Sequence, residues 1–149
     1  ATKKALENGC KEVLWLDAHE HKYVEEVGTS NAFFMIGDEV ITAPLGGSIL
    51  PGVTRDSTIT LLRKWGYKVS ERRLSIQEIE EASKNGSLQE AWATGTACVT
   101  SPIGYLRYMD RDIVIHGGGV GPVSQKLYDH IYGMQTGVVA DDMGWIVQL

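Results

Sequence analysis

Excess basic charge, a cysteine framework and long apolar runs are all missing from this chain, and each absence closes off a class of protein. Lys and Arg number 14 against 19 Asp and Glu, a net charge of −5. The sequence-independent attraction to phosphate backbones that nucleic-acid binders use is therefore not available. Cys10 and Cys98 are the only cysteines. Two do not make a disulfide scaffold, and a reduced thiol pair in a cytosolic setting is expected. No apolar run approaches the roughly 18 residues of a transmembrane helix. The opening residues do not form a signal-peptide pattern, and neither repeats nor low-complexity tracts interrupt the chain. What is present is the composition of an ordinary globular domain: 149 residues, 43% hydrophobic and 22% charged, long enough to bury a real core.

Local signals divide the chain into interleaved strands and helices. Ala1 to Gly9 reads as the end of a helix stopped by Asn8-Gly9, which suggests that the chain begins inside a larger protein. Val13-Leu14-Trp15-Leu16 suits a buried strand, and His19 to Lys22 a polar turn. Phe33 to Ile36 and Val40-Ile41 flank Gly37-Asp38, a hairpin with a type II′ turn. Ala43 to Gly47 is a loop. Gly52 to Gly66 is expected to be helical, with Ile59, Leu62 and Trp65 inward and Arg63 and Lys64 in solvent, and Tyr67 to Arg73 returns as a strand. Ser75 and Glu78 form a capping box, Leu74 and Ile79 a hydrophobic staple, and Asn85-Gly86 a C-cap. Leu88 to Thr94, Cys98 to Thr100 and Ile103 to Tyr108 read as strands, and Asp110-Arg111-Asp112 turns into Ile113-Val114-Ile115. Pro122 opens a last helix with Val123, Leu127, Ile131 and Met134 on one face. Gly144 to Val147 is expected to be a closing strand. This order makes an α+β, or mixed α/β, domain rich in antiparallel pairs.

Three short runs carry possible chemistry. Gly52-Val53-Thr54 opens a helix after Leu50-Pro51, and a helix start with unpaired amides and a positive dipole end attracts phosphate; a Pro-Gly pair before a helix is also an ordinary turn. Gly95-Thr96-Ala97 lies between two strands, where a glycine followed by small residues brings a ligand close to backbone amides, or simply marks a bulge. Glu26, beside Val27-Gly28, offers a carboxylate at the entrance to the hairpin, or a solvated strand end. His19 and His21 have no evident third ligand and read as a solvated turn rather than a metal site. Asp141-Asp142 reads as a loop. Gly117-Gly118-Gly119 lacks the context of a dinucleotide fingerprint.

Taken together, Asn8-Gly9-Cys10, Glu26-Val27-Gly28-Thr29-Ser30-Asn31, Ile49-Leu50-Pro51-Gly52-Val53-Thr54-Arg55, Val69-Ser70-Glu71-Arg72, Gly95-Thr96-Ala97-Cys98 and Gly121-Pro122 stand in a family's order. The chain resembles the class IV aminotransferases, pyridoxal 5′-phosphate enzymes of the D-amino-acid-aminotransferase-like fold, and among them the branched-chain amino acid aminotransferases. The resemblance runs from about Ala5 to Leu149. It implies that Glu26 meets the pyridine nitrogen of the cofactor, that Gly52, Val53 and Thr54 hold its phosphate with Thr96, and that Thr29 and Leu50 line its ring. The amides around Thr96 and Ala97 would accept the substrate α-carboxylate. The reaction implied is ping-pong transamination between branched-chain amino acids and 2-oxoglutarate, in a cytoplasmic homodimer, with amino acid and 2-oxo acid as the partners and no metal, nucleic acid or membrane. A D-amino-acid aminotransferase, an aminodeoxychorismate lyase or a noncatalytic domain of the same fold are the alternatives.

The same resemblance places residues 1–149 as the C-terminal, cofactor-binding domain. The family's Schiff-base lysine falls just upstream, and Lys3, Lys4, Lys11 and Lys22 do not match its position. No catalytic residue is therefore expected within the chain. Some animal members carry a Cys-x-x-Cys redox pair where this chain has Cys98-Val99-Thr100-Ser101, so a thiol switch is not expected and Cys98 reads as a buried strand residue.

Overall fold

The computed structural model describes residues 1–147. A short helix, α1 (Thr2–Glu7), leads into a seven-stranded sheet: β1 (Leu14–Leu16), β2 (Val24–Val27), β3 (Ser30–Ile36), β4 (Glu39–Thr42), β5 (Lys68–Glu71), β6 (Leu88–Gly95) and β7 (Val99–Pro102). Neighbours are antiparallel except β4 and β5, which are parallel and joined through helix α2 (Val53–Lys64). The sheet is organised around β3. Along one edge it pairs with β6 over nearly its whole length, while its other edge is divided, β2 taking the first residues and β4 the last. Helices α3 (Ile76–Asn85) and α4 (Pro122–Gln135) and a separate hairpin, β8 (Tyr105–Tyr108) with β9 (Arg111–Val114), complete the domain. Among the described residues no helix is long and apolar enough to cross a membrane.

Because strand side chains alternate, the sheet separates two cores. Ala32, Phe34, Ile41 and Ala91 pack on one side with Ile76 and Ile79 of α3 and Ile113 of β9. Phe33, Val40 and Trp92 pack on the other with Leu62 of α2 and Leu127 and Ile131 of α4. Phe33 and Trp92 are cross-strand partners with parallel rings, centroids 5.6 Å apart, an arrangement that adds to their area burial. The mixed architecture, the Gly37-Asp38 hairpin with Gly37 at φ +59°, and the inward faces expected of α2 and α4 are all present.

The helix starts differ in how their amides are satisfied. Ser75 caps α3, its Oγ accepting from Glu78 N–H at 3.1 Å. The return half of the expected capping box is absent, because the Glu78 carboxylate instead receives Arg72, with Nη2 at 2.6 Å and Nη1 at 3.2 Å. Leu74 and Ile79, the expected staple, are both buried in the same core. At α4 the cap comes from the sheet. Glu90, buried in the middle of β6, accepts Val123 N–H and Ser124 N–H, one on each carboxyl oxygen, both at 3.0 Å.

Several expectations need correction. Residues 144–147 form no strand: the Asp141 carboxylate accepts the amides of Met143 (3.1 Å) and Ile146 (2.7 Å), winding locally the groups a strand would offer to a neighbour. Asp142 fastens this tail to α2 and α4 through Lys64 Nζ (2.6 Å) and His130 Nε2 (3.1 Å). Strand β1 is an edge strand rather than a buried one. Only Leu14 and Leu16 turn to the core, and Trp15 stays 42% exposed with its indole N–H donating to Gly28 O at 3.0 Å. Strand β5 stops at Glu71, short of Arg73, and the turn of the last hairpin is Met109-Asp110, both at positive φ, one register earlier than expected.

The cap on α4 makes a measurable demand. Replacing Glu90 with Ala leaves two buried helix amides without an acceptor, each costing roughly 1–3 kcal/mol. Urea unfolding of Glu90→Ala is expected to show a loss of about 2–6 kcal/mol with an unchanged slope.

Candidate functional site

The site grows from the β2–β3 hairpin. Its two-residue turn, Gly28-Thr29, brings Val27 opposite Ser30 and Glu26 opposite Asn31, with Thr29 exposed at the tip. Trp15 pins this turn through the indole bond to Gly28. Glu26 is half-buried, and its Oε1 accepts from Leu50 N–H at 3.1 Å and from Asn31 Nδ2 at 3.4 Å. Its Oε2 takes no protein hydrogen bond among the described residues. The loop after β4 is thereby tied along β2, with Ser48 Oγ donating to Glu25 at 2.7 Å as a second tether.

That loop ends at Gly52, the extended residue before α2. Unlike α3 and α4, α2 begins without a side-chain cap among the described residues. Its first amides and positive dipole end stay open to an anion. Val53 at this start is 84% exposed, Leu50 before it 67%, and Thr54 half-buried. The helix start is nevertheless rigidly placed. Arg55, only 3% exposed, donates through Nη2 to Ala43 O (2.8 Å) and to Glu71 Oε2 (2.9 Å), while Arg63 reaches the other Glu71 oxygen at 3.2 Å. The Arg55 hydrogen bond, with Arg63 adding to it, holds the Glu71 carboxyl below the usual glutamate range.

The third run is reached along one register row. Glu26 pairs with Asn31, Asn31 with Thr94, and Thr94 with Thr100, so these side chains share a face. Two residues past Thr94, the turn Thr96-Ala97-Cys98 joins β6 to β7, with Thr96 and Ala97 exposed. Val99, which closes it, sits at φ +55°, a conformation a β-branched residue adopts only when its surroundings enforce it. Leu50 thus bonds both Glu26 and Gly52, and Thr96-Ala97 stands in the β6–β7 turn just beyond the row that Glu26 begins. No hydrogen bond joins Thr96 to the α2 start among the described residues. Two residues had no role in the sequence reading. Asn31 links Glu26 to Leu50, and the one sequence signal was a polar residue poorly suited to a strand heading an apolar strand. Arg55 anchors α2, and no local pattern marks it.

An acceptor oxygen at one end and an uncapped helix start at the other suit a ligand that carries a ring N–H and an anionic group. Such a pairing is what an enzyme of phosphorylated heterocycles builds. The chain belongs to the aminotransferase class IV family, whose model matches residues 1–104. Among its relatives is branched-chain-amino-acid aminotransferase 2 of Bacillus subtilis, 50% identical over 149 residues, covering 100% of this chain and 41% of that protein. Among solved structures, the branched-chain amino acid aminotransferase of Escherichia coli superposes with a TM-score of 0.81 at 29% identity, over 98% of this chain and 45% of that one. An aminotransferase from Brucella abortus bound to PLP matches with a TM-score of 0.68 at 29% identity, over 85% of this chain and 40% of that one. The chain spans about two-fifths of the length of the curated relatives it matches.

The anchor of α2 has a pH signature. Glu71 binds its proton less readily folded than unfolded, so the pair's stabilisation is complete above the ordinary glutamate value of about 4.3 and drains away as pH falls through the depressed folded value. Arg55→Met is expected to lose about 2 kcal/mol at neutral pH, less than a fully buried pair because Glu71 is partly solvated. Its stability should then decline less steeply than wild type between pH 5 and 3, as read by urea midpoints across that range.

Proposed function

We propose that this chain is the cofactor-binding, C-terminal part of a pyridoxal 5′-phosphate-dependent branched-chain amino acid aminotransferase. The observation that carries the reading is the joining of a half-engaged carboxylate to an uncapped helix start by one hydrogen bond, Leu50 N–H to Glu26 Oε1 at 3.1 Å. The residues present fit the cofactor. Glu26 Oε2 is the acceptor for the pyridine N–H, and the Val53 and Thr54 amides with the Thr54 hydroxyl receive the phosphate, with Gly52 leading the chain into the helix start. Leu50 and Thr29 border the ring. Thr96 adds a phosphate contact, and the Thr96 and Ala97 amides receive the substrate carboxylate.

When bound, the cofactor draws electrons from the substrate α-carbon and carries the amino group between half-reactions. The chain's own part is to bind and orient. Glu26 holds a proton on the ring nitrogen by presenting an anionic acceptor. The α2 start opposes the phosphate charge with fixed dipoles, and the Thr96-Ala97 turn fixes the substrate's carboxyl end. The proton shift and covalent attachment need an amine base, which this reading assigns to a part of the protein outside residues 1–149. The 50% identity to relatives named for branched-chain substrates supports that specificity, and biosynthetic use in a cytoplasmic homodimer belongs to the same proposal.

The 149-residue chain alone is expected to show no turnover of L-leucine with 2-oxoglutarate, while the full-length protein transaminates. In the full-length protein, Glu26→Ala should lower kcat on the order of a hundredfold, the scale of removing a group placed against developing charge. Turnover by the isolated chain at the full-length rate would overturn the division proposed here. Preference for D-alanine or aminodeoxychorismate in the same assay would overturn the specificity.

A further inference from the structure

We infer that Asn31 is a positioning residue that sets the span between the ring-nitrogen acceptor and the phosphate cup. The inference rests on the cofactor reading above and concerns a residue that touches neither end of the ligand. Asn31 is the second residue of the central strand β3 and is 5% exposed, in a place where a polar side chain is costly unless its groups are engaged. One nitrogen, Nδ2, serves two partners: Leu50 O at 2.9 Å and Glu26 Oε1 at 3.4 Å. Leu50 then closes a ring of contacts by donating its own N–H to the same Glu26 oxygen and receiving Gly52 N–H at 2.8 Å on the same carbonyl. The other amide atom, Oδ1, lies against Gly52, so closely that a Cβ there would collide with it.

This geometry fixes three things at once. It commits Oε1 of Glu26 to the protein, which leaves Oε2 to face outward. It holds the peptide of Leu50, and through Gly52 the first turn of α2, at a set distance from that carboxylate. It also uses the strand pairing of Asn31 with both Glu26 and Thr94 as a rigid base. Arg55 anchors the helix start separately, through Ala43 and Glu71. Loss of Asn31 therefore leaves the phosphate cup in being and loosens only its relation to Glu26.

The test uses apo full-length protein and two probes: pyridoxamine 5′-phosphate, which forms no covalent link and needs both ends of the site, and inorganic phosphate, which needs only the cup. Asn31→Ala is expected to weaken pyridoxamine phosphate binding about tenfold, as does Glu26→Gln, with phosphate affinity unchanged within twofold. The double variant should bind no more than twofold worse than Glu26→Gln alone, since Asn31 acts through Glu26. Asn31→Thr, whose β-branched side chain suits a strand, repeats the series if Asn31→Ala loses cooperative unfolding. Unchanged pyridoxamine phosphate binding, losses that multiply in the double variant, or an equal loss for phosphate would each overturn the inference. Wild-type protein that binds phosphate but not pyridoxamine phosphate more tightly would instead overturn the cofactor reading, and the inference with it.

Discussion

The hydrogen bond from Leu50 N–H to Glu26 joins two parts of the chain that sequence keeps 24 residues apart. The placement of the α2 start relative to the Glu26 carboxylate depends on it. Strands β2 and β4 part company along β3, and the loop that fills the space beyond would be free to wander were it not tied to β2. With the tie, the loop delivers α2 to the sheet edge with its amides beside a carboxylate. Rigid sheet geometry thereby sets the position of groups that sit on loops, which is how sites of this kind combine access with precision.

The uncapped start of α2 gains its meaning from its neighbours. The other two long helices have side chains on their starts: Ser75 on α3, and a buried Glu90 on α4. A helix start left open beside a tethered loop is less stable than a capped one, since orphan amides must find water. Arg55 offsets this by fixing the first turn against Ala43 and Glu71. Under the cofactor reading proposed above, the open amides are where the phosphate would lie.

Much of the fold was legible because its signals are local. Pro122 and the spacing of Val123, Leu127, Ile131 and Met134 define α4 within one stretch, and Ser75 with Gly86 brackets α3. What escaped depended on distant partners. Glu90 reads as a misplaced charge in a strand until α4, more than 30 residues later, sets its amides on it. Glu78 satisfies the motif of a capping box, yet Arg72 outcompetes the backbone for its carboxylate. The tail from Gly144 to Val147 has the apolar look of a strand, but Asp141 engages its amides first. The site shows the same division. Glu26, Gly52 and Thr96 were each ambiguous alone and gained roles only as an ordered set that resembles a family. Asn31 and Arg55 act through tertiary contacts with no spacing to reveal them.

We propose that Glu26 faces the ring nitrogen of a cofactor whose phosphate lies on α2. Nitrogen NMR of pyridoxamine 5′-phosphate labelled with ¹⁵N in the ring, bound to full-length protein, tests it most directly. The account predicts a protonated ring nitrogen in the wild type at neutral pH and a shift toward the unprotonated signal in Glu26→Gln. A ring signal that is the same in both proteins, with the ligand bound in each, would contradict it.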